Sequence, residues 1–143
     1  VFQTFRGGFL GKDTPVHLFW HSFDLAYTRF SGRSAPAMDG AGPVDQEAYS
    51  HEVISFGFWA GDENVPAPAF YAYTHPEPAG LAEAPLQPDA AFWNVDGGNA
   101  MALCMYDDLR TSDTPHQALL DFLESAYQAG ATRAEWDVEA LAL

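Results

Sequence analysis

Histidine, aspartate and tyrosine side chains recur along the first half of the chain, and these residue types can bind ligands and move protons. Short alternating segments carry most of them. In residues 22–31 the side chains of Asp24, Ala26 and Thr28 alternate with larger apolar ones, a period of two that is typical of a β-strand. The same period recurs in residues 48–59 and 69–75, so alternation decides which side chains share a surface.

The polar face of the predicted sheet collects small residues and chemically active ones. We expect the faces with large apolar residues to pack under a helix. The opposite face then carries Asp24, Ala26, Thr28, His51, Ser55, Gly57, Tyr71, Tyr73, His75, Ala102 and Cys104. Small side chains among Tyr, His and Asp predict a shallow pocket. The candidate ligand-binding residues are His17, Asp24, His51, Tyr71, Tyr73 and His75.

Two other interpretations of this face stay open. The face could pack against another part of a longer protein or against a second copy of the chain. It could also belong to a hydrolase-like enzyme, with His51 or His17 as the general base and Asp24 as its partner. Small-molecule binding or an interaction role ranks first, because the sequence contains no recognisable catalytic motif.

The pair His17 and His21 has a spacing that could bind a metal on one face of a helix. Pro15 and the β-prone neighbours argue against a helix here, and no third ligand is placed. We therefore expect no metal. No phosphate loop, dinucleotide fingerprint, nucleophile elbow or HExxH motif occurs, so no cofactor is expected either.

The pattern of elements predicts one α+β domain over residues 1–143. A helix-like spacing covers residues 1–10, and residues 16–20 fit either a short strand or an apolar connector. A loop is predicted from Ser34 to Gln46. Strands are expected at residues 22–31, 48–59 and 69–75, and in a hairpin of 92–95 and 101–106 around Asp96-Gly97-Gly98-Asn99.

The C-terminal part is predicted to be helical. Thr114 to Gln117 reads as a capping box, Gly130 as the end of that helix, and residues 132–135 as the start of a short last helix. These helices can cover one face of an antiparallel meander of four to five strands. Arg29, on the side opposite Asp24, is expected to pair with an acidic neighbour.

Charge and composition limit the partners. The net charge is −14 with a single Lys, which disfavours nucleic acids and anionic membranes. No apolar run approaches the ~20 residues of a membrane span. The one cysteine, Cys104, excludes an internal disulfide and a cysteine-based zinc site. It lies in an apolar run, so we expect an inert thiol. A chain without an internal disulfide fits a reducing compartment, so we expect a cytoplasmic location.

Several long motifs resemble one family of proteins. They are FLGK (9–12), PVHLFWHSFDLAYTRFSGR (15–33), EAYSHEVISFGFW (47–59), PAFYAYTHPEP (68–78), YDDLR and LLDFLESAY. The chain is similar to a large, mostly bacterial family of uncharacterised proteins, a domain of unknown function. The resemblance implies no activity, cofactor or catalytic residue. It also implies that members are about twice as long, with this chain matching their C-terminal half, and that position 21 is more often Gly.

The same resemblance bears on association. A half of a larger architecture would leave an apolar face or a sheet edge uncovered in water. We therefore expect a homodimer, formed through the small-residue face or an edge strand.

Overall fold

The chain folds into one antiparallel sheet with helices packed on it, in a computed structural model that describes residues 1–37 and 39–143. The strands are β1 (His17–Phe19), β2 (Asp24–Ser34), β3 (His51–Trp59), β4 (Ala69–His75), β5 (Phe92–Asn94) and β6 (Met101–Met105). The helices are α1 (Phe2–Gly7), α2 (Pro43–Ala48), α3 (Tyr106–Arg110), α4 (Pro115–Arg133) and α5 (Val138–Leu141), with a 3-10 turn at Leu81–Glu83. The expected α+β class is confirmed.

The strand order across the sheet is β1-β2-β3-β4-β6-β5, and all neighbours are antiparallel. The sheet has six strands within the described ranges, rather than the four to five expected. The strand whose existence the sequence left open is β1, in residues 16–20, where a short apolar run has no visible period. It forms one edge of the sheet, and β5 forms the other.

The predicted loop from Ser34 to Gln46 is shorter than expected. Strand β2 reaches Ser34, and α2 begins at Pro43, where the ring presets a helical φ and the missing N–H costs nothing. The strand predicted to start at residue 48 starts at His51. Met38, which belongs to the predicted loop, lies outside the described residues.

The face toward the helices holds the main core. Tyr27, Phe56 and Phe70 point to this side and pack with α1 and α4. Ala102 and Cys104 were expected on the opposite face, and that prediction is wrong, since both lie in this core without exposed surface. Cys104 pairs with Phe70 in the ladder, and cross-strand partners share a face whatever their size.

Helix α4 passes through Gly130 and ends at Arg133, so the predicted stop at Gly130 is wrong. The glycine serves packing instead. A Cβ on Gly130 would overlap Oγ1 of Thr74 and lie 3.1 Å from Cδ1 of Ile54. The missing side chain therefore lets the helix lie directly on β3 and β4.

The ends of the C-terminal helices differ from the predicted caps. Thr114 occupies the N-cap position of α4 with Pro115 next, but its side chain makes no capping hydrogen bond. Helix α5 starts at Val138, after Trp136, rather than in residues 132–135. The carboxylate of Asp137 caps it by accepting a hydrogen bond of 3.1 Å from the N–H of Ala140.

The guanidinium of Arg29 is buried in the core and has no direct carboxylate partner among the described residues, contrary to expectation. It donates to the carbonyl of Phe5 at 2.7 Å and to the hydroxyl of Tyr27 at 3.2 Å. Tyr27 donates in turn to Asp13, which Arg6 binds through two nitrogens.

Aromatic rings also surround the Arg29 guanidinium. Its central carbon lies 3.7, 4.5 and 4.7 Å from the ring centres of Phe5, Tyr127 and Phe9, respectively.

None of the described helices is long and apolar enough to cross a membrane.

We predict that Gly130→Ala lowers the free energy of unfolding. Overpacking costs ~1–3 kcal/mol, and the direct overlap with Thr74 places this site near the upper end, above the ~1 kcal/mol gained from the helix preference of alanine. Urea unfolding of the single variants and of the Gly130→Ala/Thr74→Ala double variant measures this. We expect a smaller cost in the Thr74→Ala background, because the overlapping atom is gone. An equal cost in both backgrounds would show that this contact is not the cause.

Candidate functional site

A hollow of about 450 Å³ lies on the sheet face opposite the main core. It is bounded by the ends of β2 and β3, by β4, by the 60–68 loop and by the β5–β6 turn. The lining residues are Ser22, Asp24, Trp59, Asp62, Asn64, Val65, Tyr71, Tyr73, Asn94, Asp96, Gly97, Asn99 and Met101. The wall is mixed, with aromatic rings on the sheet side and acidic or amide groups at the rim.

Asp24 lies in this hollow at the first position of β2, and only 8% of its surface is exposed. Its carboxylate accepts hydrogen bonds from the hydroxyls of Ser22 and Tyr71. The residue between Ser22 and Asp24 is Phe23, whose φ of 53° is in the left-handed region. This strained turn brings the Ser22 hydroxyl back to the carboxylate two residues later.

Tyr71 reaches Asp24 by lying across the intervening strand. Tyr71 on β4 is the ladder partner of Gly57 on β3, which is the partner of Ala26 on β2. A Cβ on Gly57 would overlap the outer ring atoms of Tyr71. Glycine at this position therefore makes room for the ring. The Tyr71 hydroxyl reaches from β4 across β3 to the carboxylate of Asp24 on β2.

Tyr73 continues the aromatic layer beside Tyr71. The two rings are nearly parallel, with centres 6.2 Å apart. The Tyr73 hydroxyl lies 3.4 Å from that of Tyr49. Beneath it, the hydroxyls of Thr28 and Ser55 share a hydrogen bond of 2.8 Å between β2 and β3.

Burial keeps both site tyrosines protonated. Loss of hydration raises the pKa of Tyr71 well above its ordinary value, and the hydrogen bond to Asp24 and the charge of that carboxylate raise it further. Burial also raises the pKa of Tyr73, against the opposing hydrogen bond with Ser55. Tyr71 is therefore a hydrogen-bond donor to Asp24 throughout the physiological range.

Trp59 closes the aromatic wall at the end of β3. Its ring centre is 5.4 Å from that of Tyr71, and the two ring planes meet at 76°. The two rings form a corner beside the Asp24 carboxylate, which we call the aromatic corner (Trp59, Tyr71). Sequence reasoning missed Trp59, because it falls where the alternation of the strand ends.

The rim of the hollow comes from two turns. In the 60–68 loop, the carboxylate of Asp62 accepts from the N–H groups of Asn64 at 2.9 Å and Val65 at 2.8 Å. In the β5–β6 turn, the side-chain oxygen of Asn94 accepts from the N–H of Asp96 at 3.0 Å. The sequence indicated only a hairpin at the second turn. Asn and Asp are common in turns, so their presence there did not indicate that they line a cavity.

The structure brings three of the six sequence-predicted site residues together here, namely Asp24, Tyr71 and Tyr73. His75 lies next to Tyr73, in an adjoining hollow of about 390 Å³ that Tyr49 also lines. Its ring centre is 4.7 Å from that of Tyr49, and burial lowers its pKa.

The other two predicted histidines lie elsewhere on the same sheet. His51 is exposed and its Nδ1 is 2.9 Å from the hydroxyl of Ser50. His17 pairs with Ala26 and lies against Phe19, with ring centres 4.5 Å apart. Neither histidine lines the hollow at Asp24.

Metal-ligating side chains are dispersed. Within residues 1–37 and 39–143, no group of three or more His, Cys, Asp or Glu side chains is close enough to hold a metal ion. The Cys104 thiol is buried, and burial raises its pKa to about 11. What the site offers is hydrogen bonding, a carboxylate and aromatic surface.

We predict that stability falls at alkaline pH in a way that depends on Tyr71. Above pH ~10 the unfolded chain releases the tyrosine proton while the folded chain retains it, so the free energy of unfolding falls as the pH rises. Urea unfolding at several pH values above 9 should show a shallower decline for Tyr71→Phe, by up to ~1.4 kcal/mol per pH unit. Parallel curves for the two proteins would contradict the raised pKa.

We also predict that Gly57→Ala destabilises the fold by ~1–3 kcal/mol through overpacking against the Tyr71 ring. Urea unfolding in the wild-type and Tyr71→Ala backgrounds separates this cause from others. The cost should be smaller when the ring is absent, although a contact with the Leu25 carbonyl remains. A cost that is unchanged without the ring would refute the close crossing.

Comparison with known proteins identifies the chain at the level of a family. A model described as a family of unknown function (DUF5996) matches residues 1–143. No curated protein and no solved structure matches the chain. The resemblance to an uncharacterised family is thereby confirmed, and the chain belongs to DUF5996, a family of unknown function.

Proposed function

We propose that this domain binds a small molecule in the hollow above Asp24. The observation that carries the proposal is a nearly buried carboxylate, held by two hydroxyls, that lines a cavity with aromatic walls. Polar groups in fixed positions beside aromatic walls are usual features of a ligand site. The two hydroxyls fix the carboxylate oxygens before any ligand arrives.

The size of the hollow supports this proposal. About 450 Å³ falls within the range of ~300–1,000 Å³ that is usual for small-molecule sites. The adjoining hollow at His75 shares Tyr73, Asn99 and Met101 with it, so a longer ligand could extend along the sheet. His75 would then contact the far end of the ligand.

An enzymatic role ranks below binding. A general base must come within hydrogen-bond reach of the proton that it removes. His51 and His17 do not line the hollow with Asp24, so neither forms the acid–base pair considered from the sequence. Asp24 itself is occupied by two hydroxyl donors.

A homodimer is a second candidate, supported by an apolar patch at the β1 edge of the sheet. The patch consists of Leu18, Phe19, Trp20 and Phe23, of which Trp20 is 82% exposed. Exposed aromatic clusters beside an unpaired strand are common sites of association. Sedimentation equilibrium tests this candidate, and a monomer at all concentrations would exclude it.

We predict that a fragment screen followed by ¹H–¹⁵N NMR will find ligands that shift the indole N–H signal of Trp59, assigned with a Trp59→Phe variant. Asp24→Asn should weaken these ligands at least ten-fold, because the nearly isosteric amide has only one acceptor oxygen for the two hydroxyls that hold the carboxylate. Asp89→Asn is the matched control, since Asp89 is exposed and outside the hollow. We expect its effect to stay within two-fold.

Ligands that shift other residues but not Trp59, or that bind Asp24→Asn and the wild type equally, would refute a site at Asp24. Urea unfolding of the Asp24→Asn variant confirms that a loss of binding does not come from a loss of folding.

A further inference from the structure

We infer that the hollow at Asp24 selects organic cations, such as a primary amine or a quaternary ammonium group. The inference rests on the proposed function and adds the chemical class of the ligand. It depends on two independent features of the hollow, the sign of its charge and the geometry of its aromatic walls.

The charge of the hollow has one sign. Asp24, Asp62 and Asp96 line it, and no Lys or Arg is among the lining residues in the described part of the chain. Arg29, the buried cation of β2, is on the other face of the sheet, among the core rings. A buried carboxylate is normally paired with a cation, and here the described residues bind it only through hydroxyls.

The hydroxyls of Ser22 and Tyr71 leave Asp24 as a hydrogen-bond acceptor in the hollow. Ser22 and Tyr71 each donate to a different oxygen of the carboxylate, and Tyr71 cannot act as a base because its proton is retained. Each carboxylate oxygen still has a free lone pair directed away from its donor. An ammonium group can neutralise this charge without displacing either hydroxyl.

The aromatic corner supplies a second attraction for the same group. Trp59 and Tyr71 meet at 76° beside the carboxylate, and Tyr73 continues the wall. The faces of aromatic rings attract cations, most strongly for tryptophan, and quaternary ammonium ligands are recognised by such walls. A carboxylate and aromatic rings that line the same hollow therefore match a cation that carries methyl or methylene groups.

Other ligand classes fit less well. A phosphate or carboxylate would meet three like charges in a partly desolvated hollow. A divalent metal prefers several free oxygen ligands, whereas Oδ1 of Asp62 already accepts from two loop N–H groups and both oxygens of Asp24 accept from hydroxyls. A neutral polyol could use the amides and carboxylates, so the experiment must separate it from a cation.

Three probes of nearly equal shape make this separation. They are (2-hydroxyethyl)trimethylammonium, its neutral carbon isostere 3,3-dimethylbutan-1-ol, and the anion 3,3-dimethylbutanoate, each titrated in amine-free phosphate buffer while the Trp59 indole signal is followed. We expect the ammonium probe to bind at least ten-fold more tightly than the alcohol, and the anion to cause no shift. Asp24→Asn should remove this preference, whereas Asp89→Asn should preserve it.

The outcomes separate this inference from the proposed function. Equal or tighter binding of the alcohol or the anion at Trp59 would overturn the cation preference and leave a ligand site at Asp24 intact. No shift with any of the three probes would also overturn the inference, and the fragment screen would then decide the proposed function alone. If Asp24→Asn does not fold, the ratio of the three affinities in the wild type still decides.

Discussion

The packing between the sheet and the helices depends on the interactions of one buried group, the guanidinium of Arg29. A charge without a direct carboxylate partner is costly in a core unless hydrogen bonds and polarisable rings surround it. Phe5 and Phe9 come from the N-terminal segment and Tyr127 from α4, so the cation joins parts that are far apart in sequence. The Phe5 carbonyl and the Tyr27 hydroxyl complete the arrangement, and they tie the first helix to the sheet.

The sheet separates this cation from the anion on its other face. Because side chains alternate along β2, Arg29 and Tyr27 face the core, whereas Asp24 and Ala26 lie on the opposite face, where Asp24 lines the hollow. A shift of register by one residue would exchange the two sides and leave a lone carboxylate among the core rings. The electrostatic character of the hollow is thus set by the same register that builds the core.

Local patterns predicted much of this architecture and only part of the site. The alternation in β3 and β4 located both strands, and the turn at residues 96–99 located the hairpin, because period and turn chemistry are local properties. The face of Cys104 depends on its pairing with β4, and the role of Gly130 depends on contact with Thr74, neither of which is local. Alternation is local, and it predicted that Asp24, Tyr71 and Tyr73 share a face, where they now line one hollow. Trp59 became visible only when the strands were placed side by side.

The crossing of Tyr71 over Gly57 divides the hollow into parts of different rigidity. The ring braces three strands at once, so the base of the hollow can open only when the centre of the sheet opens. The rim consists of two short turns held by a few side-chain hydrogen bonds. The rim would therefore be the part that adjusts to molecules of different length. Among relatives, we expect the two turns to vary independently, whereas Tyr71, Gly57 and Asp24 should change only together.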